Sequence, residues 1–332
     1  MHHPLLKVTH IYREPRNTGV SIEGIFQTVR KDLEGKVSVT DFYCDPSLSR
    51  IGNTKKVSKY AGDINHITGD VNFLAIGLRG HKNILTVHDL GYYENPVHSR
   101  LKHLLYHTFW FRIPLMYVDI VTVVSVFTKE KLMRYFHYPE ERIRVIPDPV
   151  KPVFRAAPRP PLRERPVVLM LGTGKHKNLD GLIKAASDGS MHLDIVGWPS
   201  PDEIATLKEY NIPHTISNGL TDEQVWEHYA NCDILFIASH YEGFGMPIIE
   251  AQAVGRPVVT SNKGAMLEIG KDSTLLVDPD SPEQIRNAIN ALAGDNALYE
   301  ATVAKGRINA ARYDHRIISE QYLELYNELY NK

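Results

Sequence analysis

The stretch SHYEGFGMPIIEAQAVGRPVV, Ser239 to Val259, holds two carboxylates, Glu242 and Glu250, on either side of a Gly-Phe-Gly-Met-Pro turn. Gly243 and Gly245 lack side chains, so the amides of such a turn can approach a ligand closely. Pro247 suits the first position of a helix, where its missing N–H costs nothing, and Gly255 followed by Arg256 and Pro257 supplies a stop. A short helix over about 247–254 is therefore expected to open with free backbone donors and partial positive charge, a seat for phosphate. Glu250, about one turn into that helix, then lies within reach of the paired hydroxyls of a ribose. Glu242, before the turn, lies on the side of a transferred group. The same spacing has a plainer reading: an early-helix glutamate complements the helix dipole, and Gly-Phe-Gly is a permissible loop in any α/β protein.

The elements that must hold this turn follow from apolar runs of strand length. VVLMLG (167–172), HLDIVG (192–197), DILFIAS (233–239), RPVVTS (256–261) and STLLVD (273–278) read as strands, with helices over about 178–187, 201–210, 222–231, 247–254 and 282–293. The first half shows the same alternation, with strands at LKVTHIY (6–12), KVSVTDFY (36–43), INHIT (64–68), NILTVHD (83–89), DIVTVVS (119–125) and IRVIPD (143–148), and helices near 20–33, 99–117 and 127–136. Alternation of this kind predicts parallel sheets covered by helices. The proline- and arginine-rich segment 151–166 reads as a linker between residues 1–150 and 167–332. A last helix is expected over about 315–330, and it is expected to pack back on the first domain.

At 332 residues the chain is long for one core, and two domains imply a cleft. Hydrophobic residues at 43%, charged residues at 23% and a net charge of -1 exclude a global nucleic-acid-binding signature. Cys44 and Cys232 stand far apart without metal-ligand spacing, which suits a reducing compartment. The polar N-terminus and the absence of a long apolar run lead to the expectation of a cytoplasmic protein.

EGFGMPIIE with the following GRPVV resembles the E-x7-E signature of the retaining glycosyltransferases of family 4, and other segments agree in order: VVSVFTKEKL (123–132), RVIPDPV (144–150), LGTGKHKNLDGLIKAA (171–186), LDIVG (193–197), GLTDEQVWEHYANCDILFIAS (219–239) and LLVDPDSPEQIRNAI (275–289). The resemblance implies the GT-B architecture of two facing Rossmann-like domains, acceptor side first and nucleotide-sugar side second. It implies that Glu250 binds the donor ribose, that Glu242 contacts the donor sugar, and that the backbone of Phe244, Gly245 and Met246 holds the phosphates, with Pro247 also in the donor site. Lys177 matches the family's phosphate-binding lysine, and a positioned ammonium stabilises a leaving diphosphate without a metal. Gly172, Thr173 and Lys175 belong to the same donor loop; the family's usual basic residue is replaced by Thr173, with Lys175 or His176 as the substitute. His88 matches a histidine facing the anomeric centre, with Asp89 beside it and His66 as a further acceptor-side candidate. Gly19 would line the cleft, although the family shows two glycines there. Transfer with retention, from a UDP- or GDP-type sugar to a saccharide or lipid-linked acceptor in bacterial surface polysaccharide or glycoconjugate assembly, is what this likeness implies, without cofactor or metal.

Two other enzyme or binding readings stay open: a nucleotide-sugar epimerase on the same frame, and a non-catalytic subunit that binds nucleotide or glycan. A dehydrogenase is disfavoured because no G-x-G-x-x-G follows a first strand. Asp278-Pro279-Asp280 has a metal-binding form, but Ser281 is a good N-cap, so the pair is expected to end a strand and start a helix. HSRLKHLLYHTFWFRIPLMYV (98–118) carries Arg100, Lys102, His103, His107 and Arg112 with no acidic residue. It suits either contact with an anionic membrane surface or packing against the first sheet.

Overall fold

The computed structural model describes residues 5–14, 21–94, 99–161 and 163–332. The chain divides into two units, Met1–Pro149 with His315–Lys332, and Val150–Asp314. Gly19, expected on the donor side, lies outside the described residues.

The first unit holds strands β1 (Lys7–Tyr12), β2 (Ser38–Tyr43), β3 (Ile64–Ile67), β4 (Lys82–Val87), β5 (Ile120–Val123) and β6 (Ile143–Val145), with helices α1 (Ser21–Asp32), α2 (Arg50–Val57), α3 (Gly91–Glu94), α4 (Arg100–Tyr106), α5 (Ile113–Leu115) and α6 (Val126–Phe136). All strand pairs are parallel, in the order β2-β1-β3-β4-β5-β6. A π-helical turn, His107–Arg112, joins α4 to α5 without a break. The interior strands β3 and β5 are buried at every residue, and the polar side chains that β3 carries, Asn65 and His66, are hydrogen-bonded inside the unit.

The second unit repeats the plan with β7 (Val167–Leu171), β8 (His192–Val196), β9 (His214–Ser217), β10 (Ile234–Ile237), β11 (Val258–Ser261) and β12 (Leu275–Val277). Its helices are α7 (Leu179–Ala185), α8 (Pro201–Glu209), α9 (Asp222–Asn231), α10 (Met246–Val254), α11 (Gly264–Gly270), α12 (Pro282–Gly294) and α13 (Asn296–Ala311). The parallel order β12-β11-β10-β7-β8-β9 reverses direction between β7 and β10. In open α/β sheets that reversal leaves a crevice outside the carboxyl ends of the two strands, where ligands bind. Both stretches read as donor-binding leave the sheet there, at 172–178 and 238–246.

The final helix, α14 (His315–Asn331), belongs to the first unit. It buries Tyr322, Tyr326 and Leu329, and Asp32 of α1 accepts hydrogen bonds from His315 and Ser319 at 2.7 and 2.8 Å. The segment 151–166 is bound to the second unit over much of its length. The Ala157 N–H donates to the Val254 carbonyl, and Trp226 Nε1 donates to Arg155. The buried guanidinium of Arg256 takes the carbonyls of Ala157 and Pro158. An arginine held in the interior needs its donors satisfied, and a proline-rich strap with idle carbonyls supplies acceptors.

Candidate functional site

The turn before α10 is shaped by Gly245, whose φ of +107° lies in the left-handed region that disfavours any side chain. Met246 and Pro247 follow as the first helical residues. The helix is largely buried, its apolar residues interrupted only by Glu250 and Gln252, so its amino end is fixed against the sheet. The Phe244 side chain is buried edge-on against Tyr313 with ring centroids 5.6 Å apart, leaving only its backbone for a ligand.

Glu242 stands just before the turn, and its Oε1 accepts from Lys177 Nζ at 2.6 Å and from Ser239 Oγ at 2.9 Å. Lys177 is carried by the loop after β7. There Gly172, at φ +83°, lets the lysine stem lie close over its α-carbon: a Cβ added to Gly172 would sit 3.3 Å from Lys177 Cε. Asn178 then locks the loop. It is a left-handed N-cap to α7, and its amide donates to the carbonyls of Ala238 at 3.1 Å and Pro279 at 2.7 Å, tying the lysine loop to the end of β10. Thr173 accepts from the Trp198 amide at 2.8 Å. Lys175 is exposed and pairs with no group among the described residues.

Glu250 is buried and accepts from the Tyr229 hydroxyl at 2.8 Å. Burial pushes its pKa up to about 7, against the opposing pull of that hydrogen bond and of Lys151. A carboxyl held at this balance is neutral at no great cost when empty and gains from any hydroxyl pair that donates to its charged form. Tyr229, which aims it, was not legible in the sequence; a tyrosine in a helical pattern reads as core, and only the packing of α9 on α10 turns its hydroxyl to the carboxylate.

In the first unit, His88 donates from Nε2 to the Thr68 carbonyl at 2.8 Å, and its Nδ1 lies 3.5 Å from Asp148 Oδ1. Burial, the largest single influence, lowers its pKa, but the Asp148 carboxylate, the bond to the Thr68 carbonyl and the charge of Asp70 together outweigh it and the net shift is upward. With an acceptor at each nitrogen, the ring is suited to be an imidazolium. Asp148 sits in RVIPDPV and was not singled out in the sequence, although a lone acid ending an apolar strand is a usable signal. Asp89 is exposed and accepts from the Gly91 amide at 2.7 Å, a local turn bond.

His66 does not face an acceptor. It is fully buried, with Nδ1 2.7 Å from the Tyr326 hydroxyl and Nε2 2.7 Å from Thr86 Oγ1, and burial holds its pKa well below the ordinary value. It is a core group pinning α14 to the sheet. Asp278 and Asp280 are both bound by Lys263 Nζ at 2.9 Å, and Ser281 caps α12.

Residues 155–308 match the family model described as glycosyl transferases group 1, and residues 50–154 match the model glycosyltransferase family 4. O-antigen chain mannosyltransferase B of Escherichia coli is 26% identical over 275 residues, 76% of this chain and 71% of that enzyme. A Campylobacter jejuni N,N'-diacetylbacillosaminyl-diphospho-undecaprenol alpha-1,3-N-acetylgalactosaminyltransferase is 26% identical over 50% of this chain, a span covering 46% of that enzyme. Among solved structures, Anabaena HepE in complex with UDP and glucose superposes with a TM-score of 0.77 at 17% identity, covering 97% of this chain and 100% of the other. The lipopolysaccharide-biosynthesis glycosyltransferase WaaG superposes at 0.73 with 15% identity, covering 96% and 99%. The two parallel six-stranded sheets and the two adjoining family matches, which together run from residue 50 to residue 308, make this chain a glycosyltransferase of the GT-B fold.

Proposed function

We propose that the chain transfers a sugar from a UDP- or GDP-type nucleotide sugar to a saccharide or lipid-linked acceptor with retention of configuration, in bacterial surface polysaccharide or glycoconjugate assembly. The observation that carries this reading is the meeting of Lys177 Nζ and Glu242 Oε1, 2.6 Å apart, beside a helix start left open by Gly245. A cation, a carboxylate and free amides from stretches 65 residues apart thus share one strand-end crevice. The names of the Campylobacter enzyme and of the HepE complex support a lipid diphosphate acceptor and a uridine nucleotide among similar proteins.

In this reading the amides of Gly245 and Met246 take the diphosphate, Pro247 fixes the helix start, and Glu250 accepts from the two ribose hydroxyls. Lys177 turns from Glu242 to the leaving phosphate, freeing Glu242 for the hydroxyls of the donor sugar. The anomeric carbon–oxygen bond to phosphate breaks, the acceptor oxygen bonds to the same face, and the departing phosphate takes the acceptor proton. The charge that develops on that phosphate is met by Lys177 and the helix start, so the step needs no metal. His88, whose pKa Asp148 helps to raise, gives a hydrogen bond to the sugar or acceptor by exchanging its bond to Thr68, with Asp89 on the acceptor side. Thr173 and Lys175 remain at the phosphate loop, where the exposed Lys175 supplies the second cation. The reaction belongs to the cytoplasm or to the inner face of its membrane.

A thermal-shift panel of UDP, GDP, ADP and dTDP, with and without their sugars, tests the reading. One nucleoside diphosphate should raise the melting temperature clearly, and Glu250→Ala should remove that rise. Product anomeric configuration, read by NMR, tests retention. Release of free nucleotide without any acceptor would favour epimerisation instead, and indifference to all four nucleotides would end the proposal.

A further inference from the structure

We propose that the outward face of α4 and the π-helical turn after it docks on an anionic phospholipid bilayer. From Arg100 to Leu115 the chain is helical throughout. One side of this run is spent inside the unit. Tyr106 stacks on Trp110 with centroids 5.6 Å apart, Trp110 meets Phe73, and Phe111 stacks on Phe136 at 4.4 Å. The other side carries Leu101, Leu104, Leu105 and Phe109 at helical spacing, and they are 67%, 59%, 49% and 55% exposed. Met116, just beyond, is 70% exposed. A helix that is apolar on both faces is ordinarily covered on both, and a contiguous exposed apolar patch marks an interaction surface.

Charge selects the partner. Arg100, Lys102 and Arg112 are exposed, and none has an ion pair among the described residues. Residues 99–118 contain no aspartate or glutamate. The acid preceding them, Glu94, is already bound by Lys131 and Tyr135. A second copy meeting this face through a two-fold axis would set the cations against one another. An anionic lipid surface instead supplies phosphates for the cations while its acyl boundary takes the leucines. Arg112 and Met116 also line, with His107, His137 and Arg142, a cavity of about 610 Å³, which offers room for a phosphate headgroup. The run of helix is roughly 24 Å long at 1.5 Å per residue, suited to lying in the interface. No helix among the described residues is long and apolar enough to cross a membrane. This surface lies wholly in the first unit and does not depend on the donor-site reading.

The test is sedimentation of the full chain with vesicles of phosphatidylglycerol and phosphatidylcholine in equal parts, and with phosphatidylcholine alone. The chain should pellet with the anionic vesicles, less so in high salt, and weakly with the neutral ones. Joint replacement Leu101→Asp and Leu105→Asp should weaken binding roughly a hundredfold. Each of Arg100→Glu, Lys102→Glu and Arg112→Glu should weaken it by roughly tenfold or more. Ile308→Asp, at a residue 73% exposed on the second unit, should change nothing. Unchanged melting temperatures confirm that these surface variants are folded. Equal pelleting of the wild type and the double leucine variant, or no pelleting with either vesicle, overturns the proposal. So does a dimer, seen by analytical ultracentrifugation without vesicle binding, that the leucine variant dissociates.

Discussion

At the carboxyl ends of β7 and β10 the second unit sets Lys177 and Glu242 together with both side chains partly open to solvent, and gives Glu250 a single neutral partner in Tyr229. The corresponding ends of β3 and β4 in the first unit are lined by histidines committed to the fold. His66 has both ring nitrogens occupied, and His88 has an acceptor facing each. The contrast teaches that a polar residue at a strand end is available to a ligand only in proportion to the hydrogen-bonding capacity that the fold leaves unused. By that measure the second unit keeps an open polar crevice, the one proposed above to take the donor. In the first unit a bond of His88 must be exchanged before that ring can act.

The largest expected effect breaks this contrast at Glu242. Glu242→Ala should lower turnover by roughly a thousandfold while sparing the melting shift produced by nucleoside diphosphate. Loss of both together would show that the two carboxylates do not divide the donor between them. Next, Glu250→Ala should weaken nucleotide binding by roughly a hundredfold, measured by calorimetry, because two hydrogen bonds to a charged group are lost.

Glu250 also sharpens the comparison through pH. Its folded-state pKa of about 7 stands above the ordinary 4.5, so between those values the folded chain holds more protons than the unfolded one. Stability of the unliganded protein should therefore fall as pH rises through that window. The loss relative to Glu250→Gln should be on the order of 3 kcal/mol by denaturant titration. A difference that is flat with pH would contradict the environment described.

His88 has the same sign. The stabilisation it gains from Asp148 is fully present below its ordinary value of 6.5 and is lost as pH rises through the raised folded-state value. If the imidazolium serves the reaction, Asp148→Asn should move the alkaline limb of the pH–rate profile to lower pH and reduce turnover about tenfold. A uniform loss with an unmoved limb would mark Asp148 as structural only. The smallest effect is expected at Gly245→Ala, which forces a Cβ onto a φ of +107° and within 3.1 Å of Ile248 Cδ1. It should cost about 1 kcal/mol of stability.

The strands read from the sequence, and most of the helices, were legible because their apolar residues follow the period of the element. What escaped did so for identifiable reasons. Strand β9 is an edge strand with no buried residue, so it shows no apolar run. Helix α13 packs on α10 through Gly306, where an added Cβ would lie 2.9 Å from Gln252 Cγ; close backbone approach replaced the large apolar stripe that would have announced it. Helix α2 is short and its mean hydropathy is low, with Asn53 and Val57 its only buried residues among those described.

By itself the sequence determined the α/β alternation, the glycine-opened helix at 246 and the placing of Glu242 and Glu250 around it, because each rests on local preferences of residue type and spacing, whereas Lys177 stood out only through the family resemblance. Only the tertiary structure decided which of them meet. The reversal of strand order between β7 and β10 brings Lys177 to Glu242, the packing of α9 on α10 gives Glu250 its tyrosine, and the docking of α14 seals His66 in a core. Those pairings join residues up to 260 positions apart, and no local pattern specifies them.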